Sequence, residues 1–353
     1  MEKAKVYFIP LDDRAEHAQV SEKAAELFRH IVEKESLTLK PKAGIKVHFG
    51  EAGNRTWISA KAFDGILDEL SARGVESAFL ETSVLYGGRR RNAESHKKLA
   101  AEHGFTRIPV EITDGEAGEA STLVPIEGKH FKTCAIGKGF EAYEQILVLA
   151  HFKGHALSGF GGAIKQLSMG FASKGGKMAM HMGIQPVILN FLCKRCGLCV
   201  KRCQVDAIDI QKKPGKSRID HSKCLGCGAC YAACPSHAVS ILSWKGLKNM
   251  LFRKDDFREK LVEYALASHK GRSNIYLNFA INITKGCDCE PHPMLRTMND
   301  IGILASTDPV AVDAACWDLC AARGTKFKGA EQLDYAEKLG LGSRTYDLIT
   351  ITK

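Results

Sequence analysis

Eight of the thirteen cysteines in this 353-residue chain fall into two runs: Cys193, Cys196, Cys199 and Cys203, then Cys224, Cys227, Cys230 and Cys234. Each run reads C-x2-C-x2-C-x3-C, and every position in the second lies 31 residues after its counterpart in the first. The segments "CQVDAIDI" and "CPSHAVSI" carry the duplication past the last cysteine of each run. Three thiolates this close together on a tight loop can wrap one corner of a four-iron cubane, and the glycines in "CGLC" and "GCGAC" let backbone amides approach inorganic sulfide. A zinc site would use paired C-x2-C knuckles separated by a longer loop. A further pair, Cys287 and Cys289, stands one residue apart in "KGCDCEPHPM", with His292 close behind. Three uses are open to it. It can ligate a third metal, zinc or iron, with a histidine such as His48, His155 or His292. It can be a redox-active dithiol. Or both thiols can be buried and inert. The short spacing leaves little room for a relaxed disulfide, which favours the metal. Cys134, Cys316 and Cys320 read as small core hydrophobes.

The two runs resemble those of two-cluster bacterial-type ferredoxins. The resemblance implies crosswise ligation, in which the fourth cysteine of each run binds the other cluster. Cys193, Cys196, Cys199 and Cys234 would then hold one 4Fe–4S cluster, and Cys224, Cys227, Cys230 and Cys203 the second. One position departs from the pattern: Pro235 follows Cys234, but Gln204 follows Cys203. The first run carries Lys194, Arg195, Lys201 and Arg202, whereas the second is nearly neutral. Such a basic surface either docks ferredoxin or another acidic redox protein or is simply solvated.

The rest of the chain must position these groups. Its composition is 45% hydrophobic and 25% charged, which is ordinary for a globular protein. Its length calls for two domains or for one with an insertion. The N-terminal "MEKAKVYFIP" has no apolar stretch long enough for a signal peptide or membrane span, so a soluble, cytoplasmic protein is expected. There, thirteen cysteines point to metal ligands rather than disulfides. The net charge of +10 suits an acidic partner or anionic substrate as well as nucleic acid. Paired low-potential clusters fit an anaerobic setting. Strands are expected at 5–9, 44–49, 76–81, 145–151, 273–281, 302–306 and 346–351. Helices are expected at 16–34, 59–73 with Ser59 as N-cap, 92–104, 257–269 and 308–324 with Asp308 as N-cap. This alternation predicts an α/β fold with a mostly parallel sheet covered by helices. The host would comprise residues 1–185 and 245–353, and residues 186–244 would form a small inserted α+β ferredoxin-like domain for two 4Fe–4S clusters.

In "HFKGHALSGFGGAIKQLSMG" (151–170), Gly159, Gly161 and Gly162 precede a short helix containing Lys165. A glycine-rich turn into a helix suits an anion, although it matches neither the dinucleotide fingerprint nor a P-loop. Arg89, Arg90 and Arg91 after "YGG" suggest a second anion clamp, for a carboxylate or phosphate of a small substrate. No aromatics interleave with them, which argues against nucleic acid. Together, "KVHFGEAGN", "LYGGRRRNAESH", "HFKGH…GFGGAIK", "KGGKMAMH", "CDC" and "DIGILASTDPVAVDAA" resemble the family known as domain of unknown function 362 (DUF362), iron–sulfur centre proteins distantly similar to the N-terminal part of lactate racemase. The resemblance covers nearly the whole chain and includes the ferredoxin-like insertion. The family usually has Asn where this chain has Gln166. The resemblance implies a polar site at the strand ends, drawn from His48, Glu51, His151, Lys153, His155, Lys165 and His181 with Cys287, Asp288 and Cys289. The expected function is electron transfer, as an oxidoreductase that takes electrons from a ferredoxin-type donor through two clusters to a metal or thiol site. Cys287, Cys289, His155 and Lys165 would carry the chemistry there. Two other classes stay open: a non-redox racemase- or isomerase-like enzyme with structural or sensory clusters, and an electron-transfer subunit without an active site of its own.

Overall fold

A computed structural model describes residues 3–182, 186–211, 217–240 and 256–352. Eight strands form the main sheet: β1 (Ala4–Pro10), β2 (Lys42–Lys46), β3 (Glu76–Glu81), β4 (Val110–Ile112), β5 (Gln145–His151), β6 (Ile275–Ala280), β7 (Gly302–Ser306) and β8 (Tyr346–Thr350). Their order is β8-β1-β7-β6-β5-β2-β3-β4. Only β7 runs against its neighbours, and the other pairs are parallel. β5 and β6 are buried at every position, as strands covered on both faces must be. Side chains alternate between the two covering layers. Val6, Phe8, Ile146 and Val148 pack with the helices Ala163–Met169, Asp256–His269 and Pro309–Ala322. Tyr7, Ile9, Leu147 and Leu149 face the helices His17–Lys34 and Asp64–Ala72.

The pairing of β5 with β6 sets Phe279 opposite His151, so segments on either side of the cysteine-rich stretch share one sheet. The expected boundaries at 185 and 244 lie outside the described residues. Asp308 caps its helix as expected, accepting from the N–H groups of Val310 and Ala311 at 2.8 and 2.9 Å. Ser59 makes no side-chain cap, and the segment after it opens as a 3-10 turn at Ala60–Phe63 before the α-helix begins. The short strand β4, the hairpin Ser121–Pro125/Thr133–Gly137 and the helix Glu331–Lys338 had no clear sequence signal. Among the described residues, no helix is long and apolar enough to cross a membrane.

The cysteine-rich stretch repeats in backbone as it does in sequence. Val187–Ile188 pairs with Val239–Ser240, and Ile208–Asp209 with Arg218–Ile219, both antiparallel. Short helices at Leu198–Lys201 and Ala229–Ala232 each follow a left-handed glycine, Gly197 and Gly228, both with φ of 72°. Positive φ recurs at Arg195 and Gly226, and at Asp206 and His237, all equivalent positions of the two halves. Ile208 and Val239, also equivalent, share a small core with Cys199 and Cys230.

Candidate metal and thiol centres

Each half of the cysteine-rich unit borrows one thiol from the other. One cavity is lined by Cys193, Cys196, Cys199 and Cys234, and a second by Cys203, Cys224, Cys227 and Cys230. The helix after each left-handed glycine turns the third cysteine inward. Backbone amides already address the sulfurs: the N–H of Gly226 donates to Cys224 Sγ at 3.4 Å, and that of Ala207 to Cys203 Sγ at 3.3 Å. Four sulfurs around a cavity, with N–H donors aimed at them, suit an iron–sulfur cluster, whose sulfurs are tuned by such bonds.

Among the described residues, the unit meets the host near Gly175 and at Gln204. A Cβ built on Gly175, in the helix Lys174–Met182, would lie 3.1 Å from Cys227 Cβ. Gln204, the residue that departs from the ferredoxin pattern, accepts from Ser121 Oγ at 2.8 Å and donates to the Glu119 carbonyl at 3.3 Å. Proline could do neither.

Inside the host, the C-terminal ends of β2, β3 and β5 and the loop after β6 converge. Asp288, between the two cysteines, is fully buried. Its carboxylate lies 2.9 Å from His151 Nδ1 and 2.8 Å from Lys153 Nζ. Burial works against the charge, but His151 and Lys153 overcome it and hold the carboxyl well below its ordinary value. This pin fixes the loop, and the end of the Met294 side chain lies over Gly286. The sulfurs of Cys287 and Cys289 and a ring nitrogen of His155 all lie within 4.8 Å of one another. Lys165 Nζ is 3.4 Å from Cys287 Sγ. The Cys287 thiol is 2% exposed, and the hydrogen bond from Cys289 and the nearby Lys165 hold it well below its ordinary value despite burial. Cys289, sharing that hydrogen bond, moves up. His155 Nδ1 accepts from the N–H groups of Leu157 and Ser158 at 3.2 and 3.1 Å. Desolvation, with Lys165 next, pushes the imidazole down to about 3, so the ring is neutral. His181 lies within electrostatic reach of Lys165 and His155.

Two expected ligands stand elsewhere. His48 has Gly50 N–H at 3.1 Å on one ring nitrogen and Arg90 Nη1 at 2.9 Å on the other. His292 points to solvent beside Glu290. The arginine clamp does not form either. Arg89 pairs with Glu102, Arg91 is exposed, and Arg90 is buried against Glu51 at 3.1 Å and Glu81 at 3.7 Å. The glycine-rich turn does hold an anion, but the anion belongs to the chain. Asp313 accepts from the N–H groups of Ala163 and Ile164 at 2.7 and 2.9 Å. A Cβ on Gly162 would sit 2.2 Å from Asp313 Oδ1, so the carboxylate takes the place an external anion would need at Gly161 and Gly162. Residues that sequence reasoning passed over complete the buried polar core. Lys46 pairs with Glu81 at 2.9 Å, and Lys177 donates to the Ser83 carbonyl at 2.6 Å. A lysine inside the apolar strand "GIKVHF" was the available signal.

An α/β host with a ferredoxin-like unit whose cysteines suit iron–sulfur ligation defines an iron–sulfur protein of the electron-transfer class. More particularly, the chain belongs to the family described as Domain of unknown function (DUF362), which matches residues 44–318. Curated relatives match over short stretches. An uncharacterized ferredoxin-like protein of Escherichia coli K12, YdhY, is 42% identical over 45 residues, covering 12% of this chain and 22% of that protein. The polyferredoxin-like subunit of the aliphatic sulfonate oxidoreductase of Pyrococcus furiosus is 38% identical over 48 residues, 14% and 28% of the two chains. A ferredoxin of Pyrobaculum islandicum is 39% identical over 54 residues, 15% and 50%. The match thus spans half or less of each of these relatives. A Thermotoga maritima crystal structure shares 10% identity at a TM-score of 0.44, over 93% of this chain and 60% of that one.

Proposed function

We propose that the protein is a two-cluster electron carrier that delivers electrons to the Cys287/Cys289 centre of its own host domain. Cys193, Cys196, Cys199 and Cys234 hold one 4Fe–4S cluster, and Cys203, Cys224, Cys227 and Cys230 the other. When bound, each cluster supplies one-electron redox chemistry. The observation that carries the reading is the contact of Cys227 with Gly175. It sets the second quartet against a helix that also bears His181, which lies within electrostatic reach of His155 and Lys165. From Gly175 to His181 that helix rises about 9 Å. The first quartet is the outward one: Cys196 is exposed, beside Lys194 and Arg195. That surface fits an acidic donor such as a ferredoxin. The same reading takes residues 186–244 as the insertion and residues 1–185 and 245–353 as the host.

A second reading of the host centre rests on the close approach of Cys287, Cys289 and His155, a donor set that suits zinc or iron. Iron and acid-labile sulfide analysis of anaerobically purified protein tests both. Two clusters require about eight irons and eight sulfides per chain. A count near four sinks the two-cluster reading. A further metal that is lost in a Cys287→Ser/Cys289→Ser double variant establishes the third site.

A further inference from the structure

We infer that Cys287 and Cys289 form a redox dithiol that opens and closes as a disulfide and exchanges with disulfide-bonded substrates. The inference rests on the electron-carrier reading and names the chemistry at its end point. Three observations decide for thiols over a metal. First, a histidine that ligates through one nitrogen normally donates its other N–H to an acceptor. His155 does the reverse: Nδ1 accepts two backbone N–H groups, so in the neutral ring the proton sits on Nε2. Nε2 is then a donor and offers no lone pair to a metal. Second, Lys165 places an ammonium 3.4 Å from Cys287 Sγ, and Lys153 adds a second cation nearby. A positive surround favours a thiolate and opposes a further cation. Third, the sulfurs are neighbours on a loop held fixed by the Asp288–His151–Lys153 contacts, so closing the bridge needs little rearrangement outside the loop. The tight spacing makes the bridge strained, and a strained bridge is the easily reduced, working kind.

The chemistry balances. In the reduced state the pair carries one proton, shared between thiol and thiolate. Cys289, the half-buried sulfur, passes its proton along the shared hydrogen bond to the Cys287 thiolate as it attacks a substrate disulfide, and expels one substrate thiolate. Cys287 then displaces the second, and its proton leaves with that product. The pair gives up two electrons and becomes a disulfide, and the substrate becomes one thiol and one thiolate. Two electrons and one proton restore the pair. The electrons come from a low-potential one-electron donor acting twice and the proton from water, which matches two one-electron centres to one two-electron couple.

The test uses the full-length protein and oxidised glutathione as the probe. Trypsin releases residues 286–296, which contain Cys287 and Cys289 and no other cysteine. After oxidation, acid quench and alkylation, this peptide should be two hydrogens lighter and unalkylated. After treatment with dithionite, both cysteines should take the alkylating agent. Cys287→Ser should stop at a glutathione adduct on Cys289. A wild-type peptide that stays in the dithiol form, with no adduct in the variant, overturns the inference. So does an extra zinc or iron bound by wild type and lost in the double serine variant. The iron and sulfide count of the same sample reports separately on the two clusters.

Discussion

Filling the space at Gly175 should separate the cysteine-rich unit from the thiol centre without unfolding either. The built Cβ lies 3.1 Å from Cys227 Cβ. Carbon contacts settle near 3.5–4.0 Å, so alanine requires a shift of about half an ångström. Up to about 1 kcal/mol of helix propensity gained over glycine offsets that strain. Gly175→Ala should therefore fold and transfer electrons close to normally. Valine adds branches reaching about 1.5 Å further, and overpacking of this kind costs about 1–3 kcal/mol where the neighbour is rigid. Part of that strain is relieved by moving Cys227 and its loop outward. In Gly175→Val, reopening of the Cys287–Cys289 bridge by a reduced donor should slow while iron content stays at the wild-type value. Gly176→Ala is the control, because its Cβ would meet first the Ala135 carbonyl at 2.5 Å and the Tyr264 ring at 2.8 Å. It should lower stability in denaturant without a comparable slowing per folded molecule. An unslowed Gly175→Val protein with intact clusters refutes the route along this helix.

Crosswise ligation predicts that Cys234→Ser exposes Cys193, Cys196 and Cys199 to alkylation while Cys224, Cys227 and Cys230 stay protected, and that Cys203→Ser does the reverse. Loss of protection within the mutated run would contradict it. Asp288→Asn leaves the buried Lys153 ammonium without its carboxylate and should cost about 3–5 kcal/mol, read as a shift in denaturation midpoint; a change below 1 kcal/mol would show that the loop is not pinned there. Lys177 is buried, which lowers its pKa from 10.5 to about 8. The unfolded chain holds that proton more tightly, so this group's contribution to stability is present above pH 10.5 and lost as pH falls through 8, by roughly 3 kcal/mol. Lys177→Met should flatten that part of the stability–pH curve, measured by denaturant titration.

Signals that are local in sequence were legible, and those that depend on pairing across the fold were not. The spacing of the cysteines and the apolar run at 145–151 needed no tertiary information, because metal geometry and two-sided burial act on neighbouring residues. "GILAS" reads equally well as a parallel or an antiparallel strand, and only its place between β1 and β6 decides. Arg89, Arg90 and Arg91 look like one cluster in sequence. Their loop sends one to Glu102, one into the buried core and one to solvent. The glycine-rich turn reads as a site for an external anion, and no local signal reveals that Asp313, some 150 residues away, takes those N–H groups instead. His155 was found through its motif. Its accepted hydrogen bonds, which bear most on its chemistry, come from a turn whose geometry the sequence does not spell out.

Gln204 and Gly175 have a shared consequence. A ferredoxin that moves freely can reach many partners, but delivery to one fixed site needs a fixed approach. Gln204 replaces the expected proline and ties its loop to the host at Ser121 and Glu119. Gly175 removes the side chain that would keep Cys227 away. Each residue weakens a local preference, the stiff loop after the last cysteine in one case and helix propensity in the other. Gln204 lines the cavity of Cys203, Cys224, Cys227 and Cys230, and Gly175 stands against Cys227 of that same cavity. Their joint effect is to seat that cavity, rather than its twin, against the host. If the seat serves transfer, Gln204→Pro should leave both clusters in place, loosen the hold on Ser121 and Glu119, and slow reopening of the Cys287–Cys289 bridge in the same assay as Gly175→Val. If Gln204→Pro reduces the bridge at the wild-type rate, the contacts at Ser121 and Glu119 serve only the folding of the junction.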